Sequence, residues 1–273
     1  FSGKMMAIKR NINKIDNNFI LMNGDTFIDL NFKKYQFLME TKKLSGLGIF
    51  IEKKIFKKEK KRFLMRTVNS KNFVNSGIFF LKKNLLRSLP HETKDFDNEL
   101  IKKLKKKSSC KLKYLKKIKF IDIGIKKDFF YFKNNLRYFL EKKAIFLDRD
   151  GVINEDLNYV GNSKNFFWRQ DIFSFLKKCI QKDYYILIIT NQSGIGRAYY
   201  SLKEFKNLCN WMSDMLSSKG LYIDDISYSP YYKESNKYGT AYYLKTRKPN
   251  PGMIHNLRKK WIIDLKRSVV IGD

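Results

Sequence analysis

The run Asp148-Arg149-Asp150-Gly151-Val152-Ile153-Asn154 places two carboxylates two residues apart, directly after the apolar stretch Ala144-Ile145-Phe146-Leu147. Two acids at that spacing can share a reaction, one as a nucleophile and the other as a proton carrier. Gly151 permits the sharp turn this needs. Three later segments supply what a phosphate ester would require. Thr190-Asn191-Gln192-Ser193-Gly194 offers hydroxyl, amide and backbone N–H donors for phosphate oxygens. Arg247-Lys248-Pro249 offers cations just before a helical pattern, and Gly272-Asp273 closes an apolar run with a carboxylate suited to a hard cation. Singly each is ordinary, since an Asp-x-Asp is most often a surface turn and Thr-Asn-Gln-Ser a cap or turn. In this order, each behind an apolar run, they read as one site.

The elements that must position these residues alternate. The patterns predict strands over 19–22, 46–51, 73–81, 119–123, 144–147, 184–190, 226–229 and 268–271. Helices are predicted over 32–43, 96–107, 128–143, 171–181, 202–219 and 252–261, the second of them polar. Alternation of this kind predicts an α/β protein with parallel sheets covered on both faces, and ligands beyond the carboxyl ends of the strands. The 273 residues predict two domains, 1–141 and 142–273, with the boundary near 141–143 and no Pro/Gly/Ser linker to mark it.

The four segments of the second half resemble the haloacid dehalogenase-type phosphatase superfamily, whose motifs occur in this order. The stretches 148–154, 190–197 and 247–253 resemble, within it, D-glycero-D-manno-heptose 1,7-bisphosphate phosphatases. The resemblance implies that Asp148 attacks phosphorus and that Asp150 protonates the leaving oxygen and then activates water. It implies Mg²⁺ held by Asp148, the Asp150 backbone carbonyl and Asp273. Thr190, Asn191, Arg247 and Lys248 would bind phosphate or sugar. The family often carries a structural zinc loop; here its ligand positions read Ser229, Tyr231, Leu244 and Thr246, so no zinc is expected. Histidinol phosphate or another small sugar or polyol phosphate is the alternative substrate.

In the first half, Asp25 follows an apolar run, and Asn75-Ser76-Gly77 and Ile121-Asp122-Ile123-Gly124 come later. This trio resembles the sugar-phosphate nucleotidyltransferases, which build on a Rossmann-like sheet. The resemblance implies Mg²⁺ on Asp25 and Asp122, a nucleoside triphosphate as partner, and Asn75 and Gly77 near the sugar. The family's Gly-rich triphosphate loop has no counterpart here, and its Glu-Lys pair reads Met65-Arg66, so this half is expected to be a partial catalytic domain. Together the halves imply consecutive steps in making a nucleotide-activated heptose for cell-surface polysaccharide, with GTP as the expected nucleotide, in a bacterial cytoplasm. Phe1 and Asp273 read as cut ends of a longer protein.

Composition narrows the classes. The net charge of +31 invites a nucleic-acid-binding reading, to be told apart by steep salt dependence. Of the 57 basic residues only 11 are Arg, however, and no nucleic-acid motif is present, so a general Lys bias explains the charge and no specific nucleic-acid partner is expected. Cys110, Cys179 and Cys209 lie far apart and form neither a disulfide framework nor a thiolate metal site. No apolar run approaches the ~18 residues of a membrane span, so no membrane partner is expected.

Overall fold

Strands in the computed structural model follow the apolar runs of the sequence. The structure describes residues 4–56, 68–70, 72–89 and 95–272, in two compact units, Phe1–Phe139 and Leu140–Asp273.

In the first unit β1 is Asn18–Met22, β2 Thr26–Ile28, β3 Gly46–Glu52, β4 Val68–Ser70, β5 Phe73–Lys82, β6 Cys110–Leu115 and β7 Phe120–Asp122. The main sheet has the order β1-β5-β3-β6, with β4 on β5, while β2 and β7 form a separate antiparallel pair. Alternation of strands and helices does not make this sheet parallel. β5 is antiparallel to both β1 and β3, and only β3 and β6 pair in parallel. β1, the helix Phe32–Thr41 and β3 are a strand–helix–strand unit whose strands run the same way, but β5 inserts between them. Residues 74–81 of β5 are all buried, as suits a central strand.

Helix Phe96–Lys106 is amphipathic, not polar throughout. Its lysines face water while Phe96, Leu100, Ile101 and Leu104 are buried, and Asp95 caps it by accepting from Asn98 N at 3.0 Å. The helix expected over 128–143 is two, Lys126–Asn134 and Leu136–Leu140. Asn135 separates them: its side-chain amide donates to Tyr131 O at 2.8 Å, competing with the backbone for that carbonyl.

The second unit matches the parallel expectation. β8 (Ala144–Leu147), β9 (Tyr185–Asn191), β10 (Asp225–Ser229) and β11 (Val269–Ile271) form one sheet in the order β10-β9-β8-β11, every pair parallel. Alternate residues face opposite layers. Ile145, Leu147, Ile186 and Ile188 pack with Leu176, Leu208 and Met212 of the helices Ile172–Gln181 and Leu202–Ser218. Ala144, Phe146, Leu187 and Ile189 pack with Met253 and Leu257 of helix Gly252–Lys260 on the other face. Ser201 and Glu204 form a capping box that starts the long helix. Among the described residues no helix is long and apolar enough to cross a membrane.

Candidate active site

Parallel pairing sets the carboxyl ends of β8, β9 and β10 side by side, so the residues after each strand meet at one edge. Asp148 is the first residue past β8, and its N–H still donates to Ile271 O of β11 at 2.9 Å. One carboxylate oxygen accepts from Arg149 N at 2.7 Å; the other pairs with the Lys248 ammonium. A cation therefore already touches the first carboxylate.

Lys248 is held in place through its backbone. Its N–H donates to Asn191 Oδ1 at 2.9 Å, and Asn191 Nδ2 reaches back to Lys248 O at 3.4 Å. Asn191, a candidate phosphate or sugar contact, thus has its side-chain oxygen on the backbone beside the cation.

Gly151, at φ 78°, turns the chain after Asp150, and the turn is closed by Gly151 N to Asn154 O at 2.8 Å and Ile153 N to Arg149 O at 2.7 Å. That turn folds Arg149 back onto Asp150. The guanidinium grips both carboxylate oxygens, its closest contact being Nη2 at 2.7 Å, and also donates to Val160 O at 2.7 Å. Arg149 is 1% exposed, so a buried charge is matched by a carboxylate and a carbonyl. Asn154 Nδ2 at 3.0 Å and Gln192 Nε2 at 2.9 Å complete the donors to Asp150.

Thr190, fully buried at the end of β9, accepts from Gln192 Nε2 at 2.8 Å, which leaves its own proton to donate elsewhere. Arg247 keeps a buried Nη1 without a hydrogen-bond partner among the described residues. Asp273 lies outside the described residues, as do Met65 and Arg66.

Asp148 and the Asp150 carbonyl offer hard oxygen donors, the kind magnesium takes, so the residues fit that ion in type. Among the described residues no three His, Cys, Asp or Glu side chains cluster as a metal site. The Ser229 and Thr246 hydroxyls, two of the expected zinc-loop positions, lie 3.0 Å apart, both buried, and both reach Tyr243 O, at 3.2 and 2.7 Å. Hydroxyl hydrogen bonds thus join the end of β10 to helix Ala241–Thr246, two residues before Lys248.

In the first unit, Asp25 and Asp122 come together. Thr26 is the register partner of Asp122, and Ile123 N donates to Asp25 O at 2.7 Å. A Cβ on Gly124 would lie 2.6 Å from Asp25 Oδ2 and 3.3 Å from Asp122 Oδ1, so both carboxylates face that glycine. Asn75 is buried: its Oδ1 accepts from Gly77 N at 2.9 Å and its Nδ2 donates to Asp97 at 3.1 Å. Gly77, at φ 80°, has the Asn23 side chain where a Cβ would stand, 2.4 Å away. Its position therefore demands glycine twice over.

The sequence reading left Arg149, Asn154, Gln192 and Tyr200 out of the site. The first three stand inside the motifs, where a cation, an amide and another amide beside two carboxylates were the available signal. Tyr200 ends the Gly-Ile-Gly-Arg-Ala-Tyr-Tyr continuation of the second segment, whose resemblance to the heptose enzymes was the available signal.

Residues 143–273 match the family model of polynucleotide kinase 3 phosphatase. A D-glycero-beta-D-manno-heptose-1,7-bisphosphate 7-phosphatase of Rhodopseudomonas palustris is 41% identical over 132 residues, 48% of this chain and 73% of that protein. A D-glycero-alpha-D-manno-heptose-1,7-bisphosphate 7-phosphatase of Photorhabdus laumondii is 43% identical over 131 residues, 48% of this chain and 72% of that one. The solved D,D-heptose 1,7-bisphosphate phosphatase from B. bronchiseptica, complexed with magnesium and phosphate, is 26% identical with a TM-score of 0.43, over 48% of this chain and 70% of that one.

Proposed function

This chain belongs to the heptose-1,7-bisphosphate 7-phosphatase family, and we propose that its second unit removes the 7-phosphate of that sugar through an aspartyl-phosphate on Asp148. The observation that carries the mechanism is the Asp148–Lys248 ion pair at the carboxyl edge of the sheet, two residues from Asp150. A carboxylate attacking a phosphate dianion must overcome like-charge repulsion, and Lys248 is the positive charge already there. An Asp148 oxygen attacks phosphorus and the bond from phosphorus to the sugar oxygen breaks. Asp150 supplies the proton that the leaving oxygen takes up. It then takes a proton from water, which attacks the same phosphorus, breaks its bond to Asp148 and frees inorganic phosphate. Arg149, Asn154 and Gln192 hold Asp150 beside the nucleophile, and Thr190 donates its proton to a phosphoryl oxygen. Magnesium held by Asp148, the Asp150 carbonyl and Asp273 would further offset the charge on the phosphate.

The test is phosphate release, with magnesium, from the alpha and beta anomers of D-glycero-D-manno-heptose 1,7-bisphosphate and from histidinol phosphate. One heptose anomer is expected to turn over at least about tenfold faster than histidinol phosphate, a gap of about 1.4 kcal/mol in barrier. Equal or faster hydrolysis of histidinol phosphate would replace this substrate with the alternative.

For the first unit the proposed reading is a sugar-phosphate nucleotidyltransferase, with Asp25 and Asp122 as the acids that take magnesium and a nucleoside triphosphate as partner. Their convergence on Gly124 supports it. The phosphatase product, a heptose 1-phosphate, is the kind of substrate such a domain couples to GTP.

A further inference from the structure

Tyr200 ends the stretch Gly194-Ile195-Gly196-Arg197-Ala198-Tyr199-Tyr200, and its hydroxyl reaches a side chain of the site. Its ring occupies a slot between two backbone segments: a Cβ on Gly161 would stand 2.4 Å from the ring, and so would one on Gly194. Gly161 belongs to the loop after β8 and Gly194 to the one-turn helix Ser193–Gly196 after β9, so the ring packs between the two segments that carry the site. Its hydroxyl donates to Gln192 Oε1 at 2.7 Å. The Gln192 amide then spends both of its protons, one on Asp150 at 2.9 Å and one on Thr190 Oγ1 at 2.8 Å.

This pattern has a direction. An amide has one accepting and one donating end, and only one orientation suits all three neighbours. Turned over, it would press its oxygen against the Asp150 carboxylate, make Thr190 the donor to that oxygen, and present its NH₂ to the Tyr200 hydroxyl in place of the bond it now accepts. A phenol is protonated at neutral pH, and burial raises this one further, to about 12; the Tyr200 proton is therefore available to Gln192 Oε1. With Thr190 accepting from Gln192, the threonine proton has no partner inside the relay and points to an incoming oxyanion.

We propose that Tyr200 is a positioning residue for the phosphoryl pocket: through Gln192 it fixes which way the hydrogen bonds run, keeping Thr190 a donor toward phosphate and Asp150 oriented beside the nucleophile. The assignment rests on the phosphatase reading above and extends it to a residue that never touches substrate.

The experiment is a double-mutant cycle in the full chain, with kcat, KM and inhibition by orthovanadate measured on heptose bisphosphate. Tyr200→Phe keeps the ring in its slot and removes the donor. It is expected to lower kcat about fivefold, the worth of one neutral hydrogen bond, with KM within about twofold and orthovanadate binding weakened in step with kcat. In a Gln192→Ala background the same change should cost nothing more, since the residue it acts through is gone. A full fivefold loss in that background, or no loss in the wild-type background, overturns the assignment. Gln192→Glu gives a second reading that does not require altering Tyr200. It replaces the donating end with an acceptor, forces Thr190 to donate inward, and should weaken orthovanadate more than Tyr200→Phe does; unchanged inhibition overturns the polarity account. A wild-type chain that releases no phosphate would remove the phosphatase reading itself, and this inference with it. An active wild type with an unaffected Tyr200→Phe would remove only the inference.

Discussion

The molecule carries two pairs of aspartates, and they are built differently. Asp148 and Asp150 stand beyond a fully parallel sheet, each in contact with a cationic side chain, Lys248 for one and Arg149 for the other. Asp25 and Asp122 stand at the end of a short antiparallel pair, and what brings them together is backbone: the β2–β7 register and the absence of a side chain at Gly124. The first arrangement brings its own positive charge to the carboxylates, the larger part of the preorganisation a charged transition state requires. The second brings two carboxylates to one glycine, hard oxygen donors of the kind a divalent ion takes. Paired acids are thus a common starting material, and the side chains around them separate one chemistry from another.

The difference can be broken at either end. Asp148→Asn keeps the shape of the Asp148–Asp150 pair and removes the proposed nucleophile; hydrolysis is expected to fall by about 10⁴-fold or more, measured as phosphate release. Lys248→Ala strips the cation, and kcat should drop by about 10²- to 10³-fold with melting temperature little changed. A smaller effect is expected where the cation is only supported. Thr246→Val breaks the hydroxyl link to Ser229 two residues from Lys248 and should cost about fivefold in kcat, recovered by Thr246→Ser. Asp25→Asn with Asp122→Asn should leave phosphate release within about twofold, because the two pairs belong to separate units; a large loss would show that they do not work independently.

A modest pH effect belongs to Cys209, half-buried on the long helix of the second unit. Burial pushes the Cys209 thiol up to about 11 from an ordinary 9.0. The folded chain therefore holds that proton where the unfolded chain has released it. The stability this contributes is whole below about pH 9 and is lost as pH rises through about 11. Melting temperature should decline across that window, and Cys209→Ala should flatten the decline.

Much of the second unit was legible in the sequence. β8 and most of β9 are short unbroken apolar runs covered on both faces, and the acids and donors follow them directly; β11 is as apolar, yet Val269 and Val270 are exposed, so its run did not mark a doubly covered strand. The first unit was harder to read because hydrophobic pattern does not encode strand direction: nothing in residues 73–82 announces that β5 slips between β1 and β3. β6 was missed because lysines alternate through Cys110–Leu115 and hide its apolar half. Asn135 breaks a helix through one side-chain bond that periodicity cannot register. In the site, residue types singled out Asp148 and Asp150, the pair on which the proposed mechanism rests. The relay from Tyr200 through Gln192 depends on two glycines far apart in sequence, at 161 and 194, that clear a slot for one ring.

The central claim is that Asp148 becomes covalently phosphorylated, and the most direct measurement is an acid-quenched reaction with heptose bisphosphate followed by peptide mass mapping. One phosphoryl group is expected on the peptide that contains Asp148, acid-stable and labile to hydroxylamine, and absent from Asp148→Asn. Steady hydrolysis with no phosphorylated peptide, or with the group on another residue, would contradict the account.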